Sequence, residues 1–271
     1  MASVERSKRS IGIEASETRS KLKTRPQGSV RFDLWVALLS TWFIIGMFID
    51  GWAHNHGRVD DTFFTIYHAI LYSGYGAVGA LLVWTQFRNV NRGYAWSRAL
   101  PIGYMTALLG IVFFGMAGGA DLVWHETFGF EDGIEALTSP SHLALATGAF
   151  LFLTGPIRAG WARKDNASWR DLFPVLLSLG LLFSLLSFFM MYANLFDSPL
   201  SLVGRRPNDF WNDNLDGITS ILISAGIMMG IFLFAMRRWK LPFGAFTFIL
   251  TLNVVLMFFV WLPDQPEIAW M

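Results

Sequence analysis

Six residues fall into a duplicated pattern that could hold a metal ion. The chain reads Asp50-Gly51-Trp52-Ala53-His54, with His68 14 positions after His54. It later reads Asp121-Leu122-Val123-Trp124-His125, with His142 in Ser139-Pro140-Ser141-His142. Each stretch is Asp-x3-His, a loop, then a histidine followed by Ser73-Gly74 or Thr147-Gly148. Asp121 and His125 repeat Asp50 and His54 at one shared offset, and His142 and Gly148 repeat His68 and Gly74 at a second, slightly longer one. On a helix, residues i and i+4 share a face one turn apart, so each aspartate can converge with the histidine that follows it. If the two helices of each stretch form an antiparallel hairpin, His68 and His142 each arrive as a third ligand. Two sets of two imidazoles and one carboxylate result. Such sets suit copper, zinc or iron(II) and leave a coordination position open. A lone histidine at a membrane interface can equally be a hydrogen-bonding residue, and a lone aspartate a helix cap. Four of the five histidines share this one pattern, which favours ligands.

Around these six, Glu126 and Ser139 lie close to ligands in sequence and could orient them. The fifth histidine, His56, is a candidate extra ligand or a solvated loop residue. Met190, Met191, Met228 and Met229 read as packing on apolar helices. Gly115, Gly118 and Gly119 read as sites of close helix approach. The absence of cysteine excludes disulfides, thiolate nucleophiles and Cys-ligated metal sites.

The elements that must carry the pattern are membrane helices. Of the 271 residues, 54% are hydrophobic and only 15% charged, well below the roughly 25% charge of soluble domains. Seven segments approach the roughly 20 apolar residues needed to span a bilayer: about 34–53, 63–87, 100–125, 142–158, 172–196, 217–236 and 241–262. The fold class expected is an all-α polytopic membrane protein. Its seven transmembrane helices form two or three hairpin repeats (34–87, 100–158 and 172–236) plus a final helix at 241–262. The third repeat is degenerate, with Asn194, Asp197 and Asp216 near its outer end and Ser220 where a histidine would be expected.

Residues 1–31 read as a disordered basic tail and 263–271 as a short C-terminal tail. Lys and Arg number 8 in the first tail, then 3 in 88–98, 4 in 158–170 and 3 in 237–240, so 18 of 21 lie on one side of a seven-span topology. The positive-inside rule then predicts a cell (inner) membrane protein with a cytoplasmic N-terminus, an extracytoplasmic C-terminus and both metal sets near the outer face. Nucleic-acid binding is unsupported.

The stretch from Asp121 to Thr127, with Thr138-Ser139-Pro140-Ser141-His142, resembles the metal-site hairpin of the C subunit of copper membrane monooxygenases. These are the particulate methane, ammonia and short-chain hydrocarbon monooxygenases. That family's hairpin runs approximately Asp-x-x-Trp-His-x-Thr, then Thr-Pro-Ser-His. Asp50 to His54 with His68 is similar to the family's neighbouring Asn-x-Trp-Gly-His set, with Asp50 in place of the Asn. The loop between His125 and His142 is longer than the family's, and the two motifs occur in the opposite chain order.

The resemblance implies that Asp121, His125 and His142 form one copper set and Asp50, His54 and His68 another. It also implies a multi-subunit complex with partner subunits. The function expected is then oxidation by dioxygen of a small apolar substrate or ammonia. Two alternatives stand beside it: a copper or zinc delivery or storage protein without turnover, and a zinc-dependent intramembrane hydrolase using Glu126, Asp60 or Asp61 as base.

Overall fold

The computed structural model describes residues 24–58, 64–129, 135–163, 168–193 and 210–262. The N-terminal tail up to residue 23, the C-terminal tail 263–271, and Asp60, Asp61, Asn194 and Asp197 lie outside the described residues. All regular structure among the described residues is helical. The long helices are α1 (Val30–Asn55), α2 (Ile66–Val90) and α3 (Tyr104–Phe128). A short turn of helix, α4 (Glu135–Thr138), precedes α5 (Pro140–Leu153) and α6 (Gly155–Ala162). The chain continues through α7 (Trp169–Phe189), α8 (Phe210–Arg238) and α9 (Ala245–Val260).

Six segments are long and apolar enough to cross a membrane: α1, α2, α3, α5 and α6 taken together, α7, and residues 217–238 of α8. This is a polytopic helical membrane protein. The expected seventh span, α9, is apolar but has 16 residues, short of the roughly 20 a perpendicular span requires. The expected fourth span, 142–158, runs on to Ala162. It breaks at Thr154 because Pro156 has no N–H to give to the preceding turn. Large apolar side chains such as Trp84, Val112, Met116, Leu222 and Leu233 face outward, where the bilayer covers them.

Two hairpins, α1 with α2 and α3 with α5, are the most extensively packed pairs. The internal repeat explains how. A Cβ built on Gly74 of α2 would lie 2.6 Å from the Phe43 Cα of α1, and one on Gly148 of α5 would lie 2.8 Å from the Phe114 Cα of α3. Gly148 follows Gly74 at the offset that relates His142 to His68, and Phe114 follows Phe43 at the offset that relates Asp121 to Asp50. Each glycine therefore lets its helix approach the backbone of its partner at the same register. The two phenylalanines meet edge to face across the hairpins, with ring centroids 5.3 Å apart.

Helix α7 fills the centre of the bundle. It is apolar around its whole circumference, as a helix buried on all sides must be. Its main partners are α9 and α1, and its contact with α8 is smaller. The third helix pair is thus not packed as the first two are.

Candidate metal centre

The first set is assembled by one helix end and the next helix start. Asp50 and His54 occupy the last turns of α1, one turn apart. Thr65 caps α2, its hydroxyl accepting from the His68 N–H at 3.1 Å, and so places His68 in the first turn. The His54 Nε2 and His68 Nε2 lie 3.8 and 3.6 Å from the same oxygen, Asp50 Oδ2.

The second set repeats the construction. Ser139 caps α5, with Pro140 in the first-turn position that tolerates proline. The Ser139 Oγ accepts from the His142 N–H and lies 2.8 Å from His142 Nδ1. His125 Nε2 and His142 Nε2 then stand 3.5 and 3.7 Å from Asp121 Oδ1. In each set all three candidate ligand atoms fall within 4.8 Å of one another.

The contacts within the second set suit a cation. His125 Nδ1 faces the carbonyl oxygen of Gly129 at 3.4 Å, and a carbonyl can only accept. With the ring proton on Nδ1, the lone pair of Nε2 would face Asp121. Asp121 is 2% exposed, and its Oδ1 is buried with no hydrogen-bond partner. A buried carboxylate oxygen facing imidazole nitrogens at 3.5 and 3.7 Å, too far for a hydrogen bond, is unfavourable unless positive charge lies between them. Ligand atoms around a first-row ion bound at about 2.0–2.1 Å sit roughly 3.0–3.4 Å apart. The carboxylate–imidazole distances need a contraction of only a few tenths of an ångström to meet that geometry, so the donor set fits an ion. The Nδ1 contacts to Gly129 and Ser139 are the kind that orient metal-binding imidazoles.

Both sets open into one cavity of about 200 Å³. Its remaining wall is mainly apolar and includes Phe43, Met47, Leu71, Phe114, Leu145 and Phe188. Asp50 is within electrostatic reach of His142 and Asp121, so the two sets share one electrostatic environment.

Tyr72 also lines this cavity. Its ring stands edge-on to His68 at 6.2 Å, and its hydroxyl occupies the space left by Gly118, where an added Cβ would come within 2.7 Å. Gly115 makes the same room for the hydroxyl of Tyr75, which donates to the Ile111 carbonyl at 2.9 Å. These glycines thus accommodate tyrosine hydroxyls.

The six candidate ligands come together as two triads. Ser139 contacts the ring of His142. Glu126 is exposed and lies off the cavity wall. His56 caps the end of α1, its ring stacked on Trp52 with Nδ1 2.8 Å from the Trp52 carbonyl, and it does not line the cavity. Thr65 and Tyr72 are absent from the sequence-based expectations. A signal for Thr65 exists, because Thr65 precedes His68 at the same spacing as Ser139 precedes His142. Tyr72 carries no such signal, since the equivalent position in the second repeat is Ala146. No protein-family model, curated protein or solved structure matches the chain.

Proposed function

We propose that this chain is a copper-binding membrane subunit of an oxygen-using monooxygenase, acting on a small apolar molecule or ammonia. The observation that carries the metal reading is the buried Asp121 Oδ1, which faces two imidazole nitrogens and has no hydrogen-bond partner. Copper rather than another first-row ion is supported by the resemblance of the Asp121–His142 hairpin to the copper membrane monooxygenase C subunit. Bound copper would supply one-electron chemistry toward dioxygen, with one oxygen atom going to substrate and the other leaving as water at the expense of two electrons from an external donor.

The chain's own residues hold the site. Asp50 and Asp121 supply negative charge that offsets the ion's, and the four histidines supply neutral nitrogen donors. Gly129 and Ser139 hold the rings of the second triad. The wall formed by Phe43, Phe114, Leu145 and Phe188 suits a small apolar molecule entering from the bilayer. The charge bias of the loops supports an extracytoplasmic location for the triads in the inner membrane. The resemblance supports assembly with partner subunits. Against the hydrolase alternative, exposed Glu126 stands off the cavity where a general base would have to reach.

The test is elemental analysis of the detergent-purified protein beside a His54→Ala/His125→Ala variant. Copper is expected in the wild type and absent from the variant. Zinc lost in the same way would replace the oxidative reading with a hydrolytic or delivery role. Equal trace metal in both proteins would end the ligand assignment.

A further inference from the structure

The triads are built from equivalent residues, yet they are not equally closed. His54 and Asp50 keep 35% and 16% of their side chains exposed, whereas His125 and Asp121 keep 7% and 3%; the third members run the other way, with His68 at 13% and His142 at 26%. Ligand type cannot produce the difference, because the same residues occupy the same repeat positions. The surrounding sequence can. The interval from His125 to His142 is longer than that from His54 to His68. The longer loop holds α4, whose Leu137 adds to the cavity wall.

The end of α3 adds a second difference. Gly129 takes φ +82°, donates its N–H to the His125 carbonyl at 2.9 Å, and turns its own carbonyl toward His125 Nδ1. In the first repeat the equivalent position, four after His54, is Arg58. The first repeat takes its left-handed glycine one position earlier, at Gly57 (φ +62°), whose N–H donates to the His54 carbonyl at 3.2 Å, so no glycine carbonyl stands at the position of Gly129. The helix-end pair Asp121 and His125 is thus better covered than Asp50 and His54, and the Gly129 carbonyl faces the His125 ring, two properties that slow the release of a bound ion.

Building on the metal-binding reading, we infer that the two triads have unequal roles: the Asp121–His125–His142 triad retains its ion, and the Asp50–His54–His68 triad is the exchange site through which ions enter and leave the shared cavity. An ion in the open triad meets competing ligands through exposed His54. An ion in the closed triad must part the buried Asp121 and the His125 ring held beside Gly129.

The experiment uses the full chain in detergent or nanodiscs, loaded with copper(II) alone and challenged with excess EDTA while copper release is followed by absorbance and electron paramagnetic resonance. Release is expected in two phases of equal amplitude, at least tenfold apart in rate. His54→Ala is expected to lose the fast phase and His125→Ala the slow one. Gly129→Ala keeps all six ligands but strains the turn that orients His125. It is expected to quicken the slow phase several-fold and leave the fast phase unchanged.

Two ions released in one phase, or a fast phase that disappears in His125→Ala, would overturn the unequal roles while leaving metal binding intact. A single ion lost equally in either variant would overturn them in favour of one merged site. No copper bound at all would show instead that the underlying metal reading had failed.

Discussion

Asp121 is the residue on which the site turns, and its environment makes a prediction of unusual sign. A buried carboxylate with an unpaired oxygen is held at a cost of roughly 1–3 kcal/mol unless a cation offsets it. Asp121→Asn removes the charge with little change of shape. The metal-free variant is expected to unfold at the same temperature as the metal-free wild type or a higher one, and to lose the stabilisation that copper gives the wild type. Thermal unfolding with and without copper reads both effects, and a clearly less stable metal-free variant would refute the account.

Gly118→Ala offers a second test at this scale, because the new Cβ meets the Tyr72 hydroxyl and must displace a ring that stands beside His68. Copper content is expected to stay at the wild-type level while the hyperfine pattern of the copper signal changes. Gly119→Ala, where an added Cβ meets nothing, is expected to leave the spectrum alone. The convergence of the six candidate residues is legible from type and spacing, since an i, i+4 pair needs only a helix to converge. Tyr72 is not legible, because its place depends on how far α2 lies from α3, which no local spacing encodes.

Helices rather than side chains set the distance between the ligands, and two glycines set the helices. Gly74→Ala and Gly148→Ala each push a methyl group into the backbone of the facing helix, which cannot yield as a flexible side chain can. Each is expected to destabilise the protein by about 1–3 kcal/mol, as overpacking does, and to weaken copper retention by widening its hairpin. Gly76→Ala lies in the same helix as Gly74, with nothing within 4 Å of the added carbon. It is expected to be neutral or slightly stabilising, because alanine is the better helix former.

Thermal unfolding and copper counts on the three variants separate register-specific packing from a general intolerance of α2 and α5 to substitution. The hairpins are readable as apolar runs divided by polar loops. The continuation of the fourth span from 158 to Ala162 is not readable, because proline and glycine together mark a helix end in most contexts, and here the chain resumes as α6 after Thr154. Helix α9 is shorter than the apolar run 241–262 for a related reason: apolar residues flanking a helix extend the hydropathy signal beyond its hydrogen-bonded turns.

Across the whole molecule, the two ends of the bundle do different work. The triads lie at the end where α1 finishes. About 26 Å away along the α1 axis, in its first turn, Asp33 is fully buried. There it accepts from the Tyr104 hydroxyl at 2.5 Å and pairs with Arg163, which follows α6. One carboxylate thereby ties together the starts of α1 and α3 and the end of α6. This clamp is invisible in the sequence, because its members are separated by 71 and 130 positions and none belongs to a repeated pattern.

Arg163→Ala would leave Asp33 buried without its cation. It is expected to destabilise the protein by about 3 kcal/mol, the lower end of the range for broken buried pairs, since Arg163 itself is a quarter exposed. Adding Asp33→Asn to that variant should restore most of the loss, because the amide still accepts from Tyr104 and carries no charge. Copper content should match the wild type in both variants, since the central helix α7 and the glycine-packed hairpins hold the triad end independently of this clamp. Loss of copper in Arg163→Ala, despite retained folding, would mean that the two ends are mechanically coupled and that the bundle opens as one body.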